Sequence, residues 1–237
     1  MIINRSRLEN HSKDRILFFT HIPKCGGTSM MEFFGDIFGQ RLLVAWTPEH
    51  HRMISSDPDA ISRNFDCIVS HREFGDHLLL RRQVTYVSMV RDPLERAVSY
   101  YNYVRNRPDH FAHADAVGMS FSDFVAQRTE MGEGSFSSEQ CKYLCGAKSF
   151  ESAKQSCVDN YALVADLSEI DDFLGVLLET VSGGTASTVD TPKENVSRKT
   201  ISVADVDQDT KEFLRRQLSD DIRLVDFVRT GVEFSSQ

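Results

Sequence analysis

The sequence predicts an α/β fold in which a parallel sheet is flanked by helices. Three observations carry that expectation. Short runs of β-branched and aromatic residues alternate with segments whose apolar residues recur at helical spacing. A glycine loop joins the first such run to the first long helix. Finally, 237 residues, 41% of them apolar and 10% aromatic, are enough for one sizeable core. The chain 1–237 reads as a single domain with a helical or irregular insertion at about 105–160.

The first strand is expected at Arg15–Ile22, a buried apolar run ended by Pro23. Pro23-Lys24-Cys25-Gly26-Gly27-Thr28-Ser29 follows, and then a helix carrying Met30, Met31, Phe33, Phe34, Ile37 and Phe38 that stops at Gly39. Asp66–Ser70 and Val84–Val90 read as the next two strands. Asp92 caps a helix with Pro93 in its first position, where a missing N–H costs nothing, and Leu94, Ala97, Val98, Tyr101 and Val104 form its apolar stripe. Residues His110 to Phe150 are helical or irregular, and suit a lid or a substrate-side wall. Tyr161–Ala165 is a fourth strand, and Ser168 caps an amphipathic helix with Ile170, Phe173, Leu174, Leu177, Leu178 and Val181. Val181–Thr191 reads as a flexible connection, and Gln208–Thr230 as two helices divided near Ser219.

The net charge of −8 argues against non-specific binding to nucleic acid or to an anionic membrane surface. Any anionic ligand must therefore be held by a local cluster of cations. The five cysteines are odd in number and lack metal-site spacing, so they read as buried or incidental thiols of a reducing compartment. No apolar run approaches the ~20 residues of a membrane span, and no secretory h-region is visible, so the chain reads as soluble and cytoplasmic. A chain relieved of a membrane anchor would read the same way. Oligomeric state is not legible.

A glycine loop between a strand and a helix exposes backbone N–H groups at the positive end of the helix dipole, which makes an anion site. Lys24 adds a mobile charge there, and Thr28 and Ser29 add hydroxyls. Lys24 precedes the glycines, so the order is not that of a Walker A loop. The segment His21–Met30 resembles the 5′-phosphosulfate loop of carbohydrate sulfotransferases, in the branch containing heparan sulfate and uronyl 2-O-sulfotransferases. Cys25 stands where those enzymes commonly have a small residue such as Thr.

A second segment, Arg91-Asp92-Pro93-Leu94-Glu95-Arg96-Ala97-Val98-Ser99-Tyr100-Tyr101, follows in the expected order. By itself it could be a capped helix with a charged mouth. Helical spacing puts Asp92, Glu95 or Arg96, and Ser99 on one face, and the planar fork of an arginine binds phosphate bidentately. The family carries R-D-P-x-x-R-x-x-S-x-Y here, where Arg and Ser hold the 3′-phosphate of 3′-phosphoadenosine 5′-phosphosulfate (PAPS). The resemblance thus implies a sulfotransferase fold, akin to P-loop NTPases. It also implies PAPS as co-substrate, with 3′,5′-ADP as product and no metal. The ligand set would be Lys24, Cys25, Gly26, Gly27, Thr28, Ser29, Arg91 and Ser99, with Lys24 catalytic and Ser29 restraining it.

Transfer to a hydroxyl needs a base, and His71 ends a strand whose tip opens on the crevice where α/β proteins collect ligands. Ser70–Phe74 resembles the base segment of the 2-O-sulfotransferase branch, whose further histidine two residues earlier is replaced here by Val69. A late loop closes over the nucleotide in that family, which implies Ser197, Arg198 and Thr200 as further contacts, or Lys193 turned inward. Gln140 and Tyr143 fall on the expected substrate wall without assigned roles. The acceptor implied is a sugar hydroxyl on a glycan, glycolipid or small glycoside. Two rivals share the phosphate loop: an ATP-dependent P-loop-like kinase or NTPase, and a non-catalytic nucleotide-binding protein on the same fold.

Overall fold

In a computed structural model, residues 1–12, 14–75, 78–182 and 200–234 are described. Strand β1 (Ile2–Asn4) and helix α1 (Arg5–Glu9) lead into β2 (Ile16–Thr20), whose five residues are all buried. Helix α2 (Gly27–Phe38) packs Met30, Phe33 and Phe34 under the sheet and ends at Gly39. Next come β3 (Leu42–Ala45), α3 (Pro48–Ser56), α4 (Pro58–Asn64), β4 (Cys67–Ser70) and β5 (Val84–Val90). Asp92 Oδ1 accepts the amides of Leu94 and Glu95 and so caps α5 (Pro93–Arg105).

The insertion is helical, as α6 (His113–Gly118), α7 (Phe121–Glu130) and α8 (Glu139–Cys145). Then follow α9 (Phe150–Asp159), β6 (Tyr161–Asp166), α10 (Ile170–Ser182), α11 (Gln208–Gln217), α12 (Ser219–Thr230) and β7 (Val232–Phe234).

The strands form one sheet in the order β3-β4-β2-β5-β6-β1-β7. The four expected strands are its centre and pair in parallel. Sequence pattern missed β1, β3 and β7, because two of them have three residues and β3 has four, too few to show a period. One of these changes the topology: β1 runs antiparallel to β6, so the sheet is mostly rather than wholly parallel. Two apolar layers, one on each face, explain why the central strands read as continuous apolar runs.

The helix expected to be capped at Ser168 is entered through a turn capped two residues earlier, at Asp166. Asp166 accepts the Ser168 amide, and Glu169 returns to the Asp166 amide, closing a capping box. The five cysteines are all free, and four are buried. No helix of the described residues is long and apolar enough to cross a membrane.

Candidate active site

Strands β3, β4 and β2 end in register at Ala45, Ser70 and Thr20. The next residue of each therefore joins one row across the carboxyl edge of the sheet, namely Trp46, His71 and His21. His71 Nε2 and His21 Nδ1 lie 2.8 Å apart, so a single hydrogen is shared between those two nitrogens. The Trp46 ring stacks on His71 at 5.0 Å, and at 37% exposure it also faces solvent. Burial holds the His71 pKa down at about 4, helped by nearby His51. Burial, then His71 and Lys24, hold His21 well below the ordinary value. Both rings are therefore neutral near pH 7. The partner of His71 thus comes from the neighbouring strand, as His21, while Val69 packs in the core.

Gly27 owes its identity to this pair. A Cβ built there would sit 1.8 Å from His21 Nε2, so the imidazole occupies the space that any side chain would need. The absence of a side chain at Gly27 admits a histidine of the same chain. Gly26 caps α2 at φ +80°, and Lys24 is the non-glycine residue with positive φ, at 70°. The first helical bond runs from Met30 N–H to the Gly26 carbonyl. The amides of Gly27, Thr28 and Ser29 thus head the helix without an intrahelical partner. Thr28 is exposed at this mouth.

Two residues of this loop make contacts that the sequence did not disclose. Cys25 turns inward: its amide donates to the Ile22 carbonyl at 3.2 Å, and its thiol faces Gln140 Oε1 at 3.5 Å. Burial raises that thiol's pKa to about 12, so it stays protonated. Lys24 is not held by Ser29. Its Nζ lies 4.2 Å from the centre of the Tyr103 ring on α5, a cation–π contact whose far end is Arg107 at 5.5 Å. Burial, then Arg91, lower the Lys24 pKa to about 8, with Arg107 acting the same way.

Arg91 leaves β5 beside the loop and donates from Nη1 to the Lys24 carbonyl at 3.3 Å. Its Nε and Nη2 reach Glu95 Oε2 at 3.4 Å, at the exposed rim, a weak contact between solvent-facing groups. Arg96, grouped with this face by spacing, is instead buried at 1% exposure and pairs with Glu139 at 2.8 Å. Ser99 lies half-buried two turns into α5. Thr200 reaches the same helix, where Asn102 Oδ1 accepts the amides of Thr200 and Ile201 at 3.0 and 3.1 Å, and Asn102 Nδ2 returns to the Ile201 carbonyl. Ser197, Arg198 and Lys193 lie outside the described residues.

The row therefore brings Lys24, His71 and Arg91 to one crevice with His21, Trp46, Tyr103 and Gln140, whose parts in it the sequence had not disclosed. His21 and His71 had a signal: the runs Phe18-Phe19-Thr20-His21 and Ile68-Val69-Ser70-His71 both end in a hydroxyl residue and a histidine. Among the described residues no group of three or more His, Cys, Asp or Glu converges as metal ligands. A cleft of about 580 Å³ lined by Arg7, Asn10, Ser12, Asp14, Arg15 and Gln83 lies at the opposite ends of the strands and is separate from this crevice.

The fold and the crevice together define a class, an α/β protein whose strand tips gather cations and a neutral histidine pair. A family model described as the sulfotransferase family matches residues 10–227, and the chain belongs to that family. Heparan sulfate 2-O-sulfotransferase 1 of Homo sapiens is 22% identical over 201 residues, covering 71% of this chain and 55% of that one. The Gallus gallus counterpart is 23% identical over 193 residues, covering 69% and 54%. The chain thus spans about half the length of the curated relatives it matches. Mouse sulfotransferase SULT7A1, solved in complex with PAP, superposes with a TM-score of 0.54 at 15% identity, covering 95% of this chain and 91% of that one, a likeness of fold.

Proposed function

We propose that this protein transfers a sulfuryl group from PAPS to a carbohydrate hydroxyl. The observation that carries the reading is the crevice itself, where Lys24 and Arg91 crowd at the head of α2 opposite a neutral histidine pair. Cations pressed together in a chain of net charge −8 mark a local anion site. Family membership supports sulfuryl transfer over the ATP-dependent and non-catalytic alternatives. The names of the relatives support a glycan acceptor, and so does Trp46, an exposed flat apolar surface beside His71 of the kind on which sugar rings stack.

In this reading the amides of Gly27, Thr28 and Ser29 and the Lys24 ammonium face the 5′-phosphosulfate. Arg91 and Ser99 face the 3′-phosphate, with Thr200, Ser197 and Arg198 completing that side. For His71 to act as base its Nδ1 must be unprotonated, so Nε2–H donates to His21 Nδ1, and His21 carries its own proton on Nε2. The acceptor oxygen attacks sulfur while its proton passes to His71 Nδ1. The bond from sulfur to the bridging oxygen breaks, and the negative charge left on the 5′-phosphate is met by Lys24, leaving 3′,5′-ADP. Preorganised charge of this kind is commonly the largest catalytic contribution. His21 keeps His71 oriented and in the productive tautomer.

The test is calorimetric titration of the purified protein with 3′,5′-ADP and, separately, ATP with magnesium. The reading expects binding of 3′,5′-ADP alone, weakened about 10- to 100-fold by Arg91→Ala, the loss typical of a charged hydrogen bond. Preference for ATP, or indifference to Arg91→Ala, would overturn it.

A further inference from the structure

Helix α8 lies in the insertion, yet it touches both halves of the crevice. Gln140, in its first turn, is fully buried. Its Oε1 accepts the Arg91 amide at 2.9 Å, and its Nε2 donates to the Arg91 carbonyl at 2.9 Å. The same Oε1 meets the Cys25 thiol at 3.5 Å. One carboxamide thus grips both peptide groups of the residue that carries the guanidinium and also touches the glycine loop. A carboxamide suits this because it presents an acceptor and a donor in one plane, which neither a carboxylate nor a thioether does.

The helix is itself fixed. Buried Asp221 of α12 accepts the backbone amides of Gln140 and Cys141 at 3.1 and 2.9 Å. Arg96 of α5 holds Glu139 at 2.8 Å and donates to the Ser135 carbonyl at 2.8 Å. Toward the other half of the crevice, the Tyr143 carbonyl accepts the Phe74 amide at 2.9 Å, and Lys142 pairs with Glu73 at 2.8 Å. Glu73 and Phe74 belong to the segment that carries His71.

We infer that Gln140 is a positioning residue, and that through it α8 holds Arg91, the glycine loop and the His71 segment in one rigid frame. Among the described residues the Arg91 side chain is held only by long contacts of 3.3 and 3.4 Å, so its aim depends on its backbone, and Gln140 fixes that backbone. The catalytic consequence rests on the proposed sulfuryl transfer; the mechanical claim does not.

The experiment compares wild type with Gln140→Met, which keeps the size and removes both bonds, by hydrogen exchange and by titration with 3′,5′-ADP. Peptides covering 24–30 and 88–94 should exchange about tenfold faster, the loss of roughly one net hydrogen bond, while 161–166 stays unchanged. Affinity for 3′,5′-ADP should fall about tenfold. Val125→Ala, a remote core truncation in α7, should lower the melting temperature without either effect. Asp221→Asn, which weakens the anchor of α8 and leaves Gln140 intact, should give the same exchange pattern and carries the test if Gln140→Met does not fold. Wild-type exchange at 24–30 and 88–94 in the variant, or equal loss of affinity in Val125→Ala, would overturn the inference. If wild type itself ignores 3′,5′-ADP, the functional reading fails, while the exchange pattern still decides the role of Gln140.

Discussion

Replacing Gly27 by alanine adds a single methyl group, and the structure states what it must displace. The new Cβ would lie 1.8, 1.9 and 2.6 Å from three atoms of the His21 ring, so the ring must retreat by more than about 1 Å to restore ordinary contact. It has nowhere to go. His21 is flanked by the rings of Phe19 at 5.9 Å, Trp46 at 5.7 Å and His71 at 4.5 Å, and it is buried. Overpacking of this kind costs up to about 3 kcal/mol, or roughly 6–12 °C of melting temperature in a chain this long. Displacing the ring also breaks the contact with His71, so turnover should fall about 100-fold, the lower end of what a positioned base contributes.

Gly26→Ala is the comparison. There the strain comes from φ +80°, worth about 1–2 kcal/mol, and the tight contact of the Cβ is with the end of the Leu167 side chain at 2.6 Å, with Met89 Sδ at an ordinary 3.8 Å. Thermal unfolding and turnover of both variants check the argument. A Gly27→Ala protein that melts within about 2 °C of wild type and turns over normally would refute it.

Four further outcomes are expected. Lys24 has its pKa lowered to about 8, so kcat/KM should decline above about pH 8 as the ammonium is lost, whereas kcat should hold to higher pH because bound phosphates favour the charged form. In thermal unfolding without ligand the unfolded chain binds the extra proton between about pH 8 and 10.5, so the cost of burying Lys24 is relieved as pH rises through that window. For His71, lowered to about 4, the unfolded chain takes up a proton that the folded one refuses between pH 6.5 and 4; stability should fall across that interval, and the slope should flatten in His71→Asn. Trp46→Ala should raise the KM for a sugar acceptor about tenfold and leave 3′,5′-ADP affinity unchanged, which acceptor kinetics and titration separate.

The sequence alone determined the alternating architecture and picked out the glycine loop and the segment from Arg91 to Tyr101. Those features are written locally. Buried central strands show as apolar runs, α5 announces itself by Asp92 and Pro93, and a glycine loop before a helix is a short contiguous pattern. His71 was legible for the same reason, as the residue ending a strand.

What only the tertiary structure decided are pairings between residues far apart in the chain. His21 meets His71 because β2 and β4 run in register, which no local pattern records. Spacing left Glu95 or Arg96 on the face shared with Asp92 and Ser99, and the structure buries Arg96 against the half-buried carboxylate of Glu139. Lys24 rests on Tyr103 of α5, and the Cys25 thiol faces Gln140 of α8, contacts between elements far apart in the chain. Helical periodicity gives the face of a helix but not its neighbour, and the short strands β1, β3 and β7 are defined by the strands they pair with rather than by any period of their own.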